Sequence, residues 1–120
     1  MLWRRLSTLL LASFTLLFSV SGNAAATRAE IAWKLIDQGV FLVDVRTPQE
    51  YQAGHLEGSV NYPLQVIDRA FQQVPKNTPI VVYCRSGNRS GQAFQYLTQH
   101  GYQYVFNGGG LRELQAAKPQ

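Results

Sequence analysis

Ile80-Val81-Val82-Tyr83-Cys84-Arg85-Ser86-Gly87-Asn88-Arg89-Ser90 passes from an apolar run into a polar bend that contains one glycine and two arginines. A continuous apolar run bounded by polar residues is the mark of a strand covered on both faces. From Ser90 to His100 the pattern changes period: Ala93, Phe94 and Leu97 recur at helical spacing and Gly101 closes the segment. The bend therefore joins a buried strand to an amphipathic helix. That unit, repeated along the chain, sets the fold class.

Downstream, Tyr104-Val105-Phe106 reads as a short strand, Asn107-Gly108-Gly109-Gly110 as a turn, and Leu111 to Ala117 as a terminal helix. Upstream, Thr27-Arg28-Ala29-Glu30 forms a capping box, in which the Thr hydroxyl and the Glu carboxylate each satisfy an orphan amide. Ile31, Leu35 and Ile36 then give one apolar stripe, ending at Gly39. Val40 to Val43 is a second buried strand. Thr47-Pro48-Gln49-Glu50 is another capping box, with Pro in the first helical position, opening a short helix that stops near Gly54. Ser59-Val60-Asn61 reads as a brief strand before Pro63. Leu64 to Val74 has helical periodicity through Val66, Ile67, Ala70, Phe71 and Val74, with Pro75 and Pro79 in the turn beyond. Strands alternating with helices predict an α/β domain, a mainly parallel sheet with helices on both faces. Ligands bind such sheets beyond the carboxyl ends of the strands, where Asp44 and Cys84 fall.

The 120 residues, 46% apolar, suffice for one domain. Residues 1–26 read as an export signal rather than as part of the fold. Arg4 and Arg5 make a cationic head, and Leu6 to Val20 is uncharged and apolar. Ala24-Ala25-Ala26 offers a small-residue cleavage site, with Gly22-Asn23-Ala24 allowing an earlier cut. The apolar run falls short of the roughly 20 residues of a spanning helix. The expected location is the bacterial periplasm, the alternative being an anchor left uncleaved; after cleavage no membrane contact is expected. The domain then spans residues 27–120 and carries a net charge of about +2. It has no Lys/Arg run or base-stacking motif, so nucleic acid is not expected as a partner. One cysteine rules out an intramolecular disulfide, a Cys-x-x-Cys redox pair and a multi-thiolate zinc site, and His55 and His100 lie far apart. No metal and no cofactor are expected.

The chemistry concentrates at Cys84. Amides in so tight a bend cannot all pair with one another, so several turn inward and form a concavity for anions. The following helix adds the partial positive charge of its amino end. Gly87 permits a backbone conformation that a side chain resists. Arg85 and Arg89 flank the thiol with permanent charge. Each feature favours thiolate over thiol, placing the Cys84 pKa below the free value of roughly 8.5. A lone thiol in an oxidising compartment also calls for a function. This reading requires a sulfur that is ionised near neutrality and reachable from solvent.

The chain resembles the single-domain rhodaneses, thiosulfate sulfurtransferases, and most of all the small exported ones of the phage-shock protein E type. The resemblance covers about residues 41 to 114. It rests on Asp44-Val45-Arg46-Thr47-Pro48-Gln49-Glu50-Tyr51, on Gly54-His55-Leu56-Glu57-Gly58-Ser59-Val60-Asn61-Tyr62-Pro63, on the Cys84–Arg89 loop and on Gly109-Gly110-Leu111. It implies a doubly wound fold with a central five-stranded sheet, and a cysteine that carries sulfane sulfur as a persulfide. Cys84 is then the catalytic residue, taking sulfur from a small anionic donor such as thiosulfate and yielding it to a thiol or to cyanide. Arg85 and Arg89 are the candidates for the donor's sulfonate, with Ser86, Gly87, Asn88 and Ser90 acting through amides or loop bracing. Asp44, Arg46 and Glu50 are expected to brace the site, Asp44 by accepting loop amides and Arg46 by pairing with Glu50 or reaching the anion. His55 is expected to fix a turn, and Phe41, Tyr83, Phe94 and Phe106 to lie in the core.

Two other chemistries share this architecture. Cysteine phosphatases resemble Cys-x-x-x-x-x-Arg, whereas four residues separate Cys84 from Arg89. The tighter ring suits a sulfur atom rather than a phosphoryl group. An arsenate reductase lacks its resolving cysteine here. A persulfide carrier or redox-sensing module without turnover remains the main alternative.

Overall fold

The computed structural model describes residues 25–120, so the expected export segment lies, but for Ala25 and Ala26, outside the described residues. Helix α1 spans Arg28–Asp37, strand β1 Phe41–Asp44, α2 Pro48–Gln52 and β2 Val60–Asn61. A 3₁₀ turn at Leu64–Val66 leads into α3, Ile67–Ala70. Then come β3 Ile80–Cys84, α4 Asn88–Gln99, β4 Val105–Gly110 and α5 Leu111–Ala116. Both expected capping boxes form: Thr27 with Glu30 opens α1, and Thr47 with Glu50 opens α2.

The strands pair in parallel in the order β2-β1-β3-β4. The described residues hold four strands, not the expected five: only Phe41–Asp44, Val60–Asn61, Ile80–Cys84 and Val105–Gly110 supply extended segments that pair. β1 pairs with β2 on one side and β3 on the other, so the winding reverses between β1 and β3. A crevice opens at such a reversal, beyond the strands' carboxyl ends. Asp44 and Cys84 are the last residues of those two strands.

All five residues of β3 are buried, and their alternation divides two cores. Ile80, Val82 and Cys84 face one way, toward Ile67, Phe71, Ala93, Leu97 and Tyr102. Val81 and Tyr83 face the other, toward Ala29, Ala32, Trp33, Leu56 and Leu114. Each large apolar side chain removed from water contributes about 1.5–3 kcal/mol, less the entropy of ordering it. The second core is closed by a polar link: Trp33 Nε1 donates to the Leu114 carbonyl over 2.7 Å, tying α1 to α5.

Several expected boundaries shift. The periodic stretch from Leu64 to Val74 is not one helix: a 3₁₀ turn gives way to a single α turn at Val66, whose φ of −120° is not helical. α4 begins at Asn88, two residues early, which brings Arg89 and Ser90 into its first turn. Asn107 to Gly110 is strand rather than turn. Val82 pairs with Asn107 and Tyr83 with Gly109, so Gly108 is the extra residue of a β-bulge. Ile31 and Phe94, expected inward, are each 37% exposed because Ala29, Ala32 and Trp33 on α1, and Ala93 and Leu97 on α4, already cover the sheet.

Candidate active site

The loop after β3 builds a ring around Cys84 Sγ. Gly87 has φ +101°, a left-handed conformation that costs glycine little, and it serves as the N-cap of α4. In this geometry the Gly87 amide turns back and donates to Sγ over 3.0 Å. The Ser90 hydroxyl lies 3.3 Å from the same sulfur. Burial pushes the Cys84 thiol up, but the hydrogen bonds of the Ser90 hydroxyl and of the Ser90, Ser86 and Gly87 amides outweigh it. The thiol is held below its ordinary value.

Access differs from the expectation. Cys84 is 1% exposed, so the sulfur is shielded rather than open. The side chain belongs to the core cluster with Val82, Ala93 and Leu97, and the Gly87 amide and Ser90 hydroxyl sit on the sulfur itself. Arg85 and Ser86 are the exposed part of the loop.

The cations are also arranged differently. Arg89 gives both its terminal nitrogens to Glu50, at 2.7 and 2.9 Å. That forked pairing holds the Glu50 carboxyl down at about 2. Arg85 is exposed and makes no hydrogen bond or ion pair among the described residues. The second cation acting on Cys84, besides Arg89, comes from α1: Arg28, the residue next to the capping Thr27. Arg28 Nη2 donates to the Ser86 carbonyl, and its guanidinium grips both oxygens of Glu113, at 2.7 and 2.8 Å. Glu113 Oε1 in turn accepts the Gly110 amide.

Among the described residues Asp44 accepts the amide of its own following loop, from Arg46, and none from the Cys84 loop. Its fully buried carboxylate takes the Arg46 amide and guanidinium at 2.6–3.0 Å, and Arg46 also donates to the Gly54 carbonyl. The expected Arg46–Glu50 pair does not form, because Asp44 sits two residues away on the same strand end and Arg89 already fills Glu50. The Asn88 side chain accepts from Gln92 rather than facing the thiol. His55 behaves as a turn-fixing group: Nδ1 lies 2.7 Å from the Tyr51 carbonyl and the ring stacks on Tyr51.

Asn107, read as a turn residue, bridges β4 to the loop. Its Nδ2 donates to the Gly87 carbonyl, while its Oδ1 accepts the Gly109 amide and lies 2.7 Å from Ser90 Oγ. Gly110 makes a close approach to the same loop, since a Cβ there would collide with the Arg85 carbonyl. Beside the loop is a cleft of about 620 Å³, lined by Arg46, Glu50, Arg85, Leu111, Arg112 and Gln115 among others. Arg46 is paired with Asp44 and Glu50 with Arg89, so Arg85 and Arg112, unpaired among the described residues, give the cleft the positive charge that favours anions.

The Rhodanese-like domain family matches residues 28–117, nearly all of the described chain. The chain belongs to that family. Rhodanese relatives sharpen the comparison. The chain is 44% identical over 78 residues to the thiosulfate sulfurtransferase PspE of Escherichia coli strain K12, a match covering 63% of this chain and 75% of that one. A solved rhodanese with anions from E. coli superposes with a TM-score of 0.60 at 41% identity, covering 68% of this chain and 95% of the other. A human single-domain sulfurtransferase gives a TM-score of 0.65 at 25% identity, covering 82% and 100%. This rhodanese thus shares its α/β fold with proteins named for sulfur transfer.

Proposed function

We propose that this rhodanese is a thiosulfate sulfurtransferase, carrying sulfane sulfur on Cys84 from thiosulfate or a similar anion to a thiol or cyanide. The observation that carries the reading is the donor ring on Cys84 Sγ, with Gly87 and Ser90 in contact and Arg28 and Arg89 close enough to act on its charge. A lone negative sulfur is what such a ring stabilises. The relatives' names support the same chemistry.

The steps follow a ping-pong order. The Cys84 thiolate attacks the outer sulfur of thiosulfate; a new S–S bond forms at Sγ, and the old one breaks with its electron pair leaving on sulfite. Charge then rests on the outer sulfur of the persulfide. An acceptor thiolate or cyanide bonds to that sulfur, and the electron pair of the Cys84 persulfide bond returns to Sγ. Sulfite needs no general acid to depart, and the site offers none beside the sulfur. Arg85, unpaired among the described residues, is the group we assign to the donor's sulfonate, with Arg112 lining the same cleft. Arg89 serves by anchoring the loop to Glu50. Because Sγ is shielded, loading requires the outer Arg85–Ser86 segment to move aside.

That shielding favours one other reading, a carrier that surrenders sulfur to a protein partner without steady turnover. Sulfite release from thiosulfate by the wild type and by Cys84→Ser separates the two. The sulfurtransferase predicts repeated release abolished by the substitution, and an intact mass one sulfur atom heavier after thiosulfate alone. One turnover that then stalls with small acceptors supports the carrier, and no mass gain overturns both. On the strength of Leu6 to Val20, we place this activity outside the cytoplasm; no helix among the described residues is long and apolar enough to cross a membrane.

A further inference from the structure

Ser90 Oγ stands between two acceptors and has one proton to give. Cys84 Sγ is 3.3 Å away and Asn107 Oδ1 is 2.7 Å away. Ser90 and Cys84 are both buried, at 0% and 1% exposure, so bulk solvent does not reach the pair. The Asn107 amide cannot turn over to relieve the competition. Its Oδ1 takes the Gly109 amide at 3.0 Å and its Nδ2 gives to the Gly87 carbonyl at 3.1 Å; a flip would set donor against donor and acceptor against acceptor.

We propose that the Ser90 hydroxyl is a two-position donor, resting on Asn107 Oδ1 while Cys84 Sγ is uncharged and turning onto Sγ when the sulfur is an anion, so that Asn107 is a positioning residue for sulfur transfer. The Gly109 amide keeps Oδ1 satisfied when the hydroxyl leaves it, which makes both positions tolerable. With a neutral thiol the chain runs from S–H to Ser90 Oγ to Asn107. With a thiolate, the O–H points at sulfur.

The inference rests on the proposed persulfide chemistry for its purpose, not for its test. During transfer the charge leaves Sγ for the outer sulfur and later returns. A fixed donor on Sγ stabilises the thiolate alone and slows its attack, since a lower pKa also lowers nucleophilicity. A hydroxyl that returns to Asn107 follows the charge instead.

The other charged groups around the thiol are Arg28 from α1 with Glu113 from α5, Arg85 beside it, Arg89 in the first turn of α4 with Glu50 from α2, and the pair of Asp44, which ends β1, with Arg46 just beyond it. β4 carries no ionisable side chain. None of these groups hydrogen-bonds the Ser90 hydroxyl, so substitutions at Ser90 and Asn107 leave them in place.

The test is titration of the Cys84 thiolate by its ultraviolet absorbance in the full chain. Ser90→Ala should raise the pKa by about one unit. Asn107→Ala, which releases the hydroxyl to sulfur, should lower it by roughly half a unit, and should have no effect when Ser90→Ala is already present. Asn107→Asp serves if Asn107→Ala fails to fold: the carboxylate grips the hydroxyl and should raise the pKa more with Ser90 present than without. In turnover, Asn107→Ala should lower kcat more than it changes KM for thiosulfate. An Asn107 effect that is the same with and without the Ser90 hydroxyl overturns the proposal. So does a pKa unmoved by Ser90→Ala. Because the titration needs no donor or acceptor, its failure is distinguishable from failure of the sulfurtransferase reading, which sulfite release measures.

Discussion

Arg28 Nη2 donates to the carbonyl oxygen of Ser86 over 3.1 Å, tying the first residue of α1 to the loop that surrounds the Cys84 sulfur. The same guanidinium is held by Glu113 on α5, so two helices from opposite ends of the domain brace one peptide of the Cys84 loop. Arg28→Ala should raise the Cys84 pKa by less than about one unit, Arg28 being exposed enough for water to screen its charge. It should cost about 1 kcal/mol or less of stability, as exposed ion pairs do. Arg28→Lys keeps the charge without the fork and should recover only part of the pKa. Thiolate absorbance against pH and thermal unfolding of the three proteins check both halves.

Gly110→Ala should be more severe. An added Cβ meets the Arg85 carbonyl, which is backbone and cannot swing away as a side chain would. The loop must shift, at a cost of about 1–3 kcal/mol. Sulfur loading should fall at least about tenfold, because the Gly87 and Ser90 donors move off the sulfur with it. Calorimetry and the intact mass after thiosulfate give the two readouts.

Glu50 sets a pH window. Its carboxyl, held at about 2 by the Arg89 guanidinium, has a folded pKa below its ordinary 4.5. The pairing therefore stabilises the fold fully above that ordinary value and is lost as the pH falls through about 2. Glu50→Gln should lower the midpoint of thermal unfolding at neutral pH, and the gap to wild type should close in strong acid. A gap of the same size at both ends would assign the effect to packing.

The shielding of Cys84 predicts selectivity by size. A small alkylating reagent should react with the folded protein, whereas a bulky aromatic disulfide should react more than about tenfold slower than with the unfolded chain, the ratio expected when access requires local opening. Equal rates for both reagents, in the folded and unfolded protein alike, would show that the ring is no barrier.

The parts of this account that were legible in the sequence are those with local causes. Thr27 and Thr47 announce their helices because a capping box spans only four residues. Val81 and Val82 announce a buried strand because both of its faces must be apolar. Cys84 announces a site because strand, glycine and helix start crowd together. What stayed hidden depends on distance along the chain. Arg28 and Ser86 are far apart in sequence, and nothing near Arg28 points to a loop. Asn107 looked like a turn residue beside three glycines. Those glycines instead allow β4 to bulge and pass close under the loop, a requirement visible only once the neighbours are in place. The Asp44–Arg46 pair was missed for a different reason: Glu50, four residues on, looks the natural partner of Arg46, and the fold gives Glu50 to Arg89 instead.

The central claim is that inward-pointing amides and the Ser90 hydroxyl hold the buried Cys84 thiol below its ordinary pKa. Its most direct test is the rate of Cys84 alkylation by iodoacetamide measured across the neutral range. An inflection clearly below the roughly 8.5 of a free thiol is the predicted result. An inflection at or above that value would mean that burial, which pushes the thiol up, outweighs the ring, and would contradict the account.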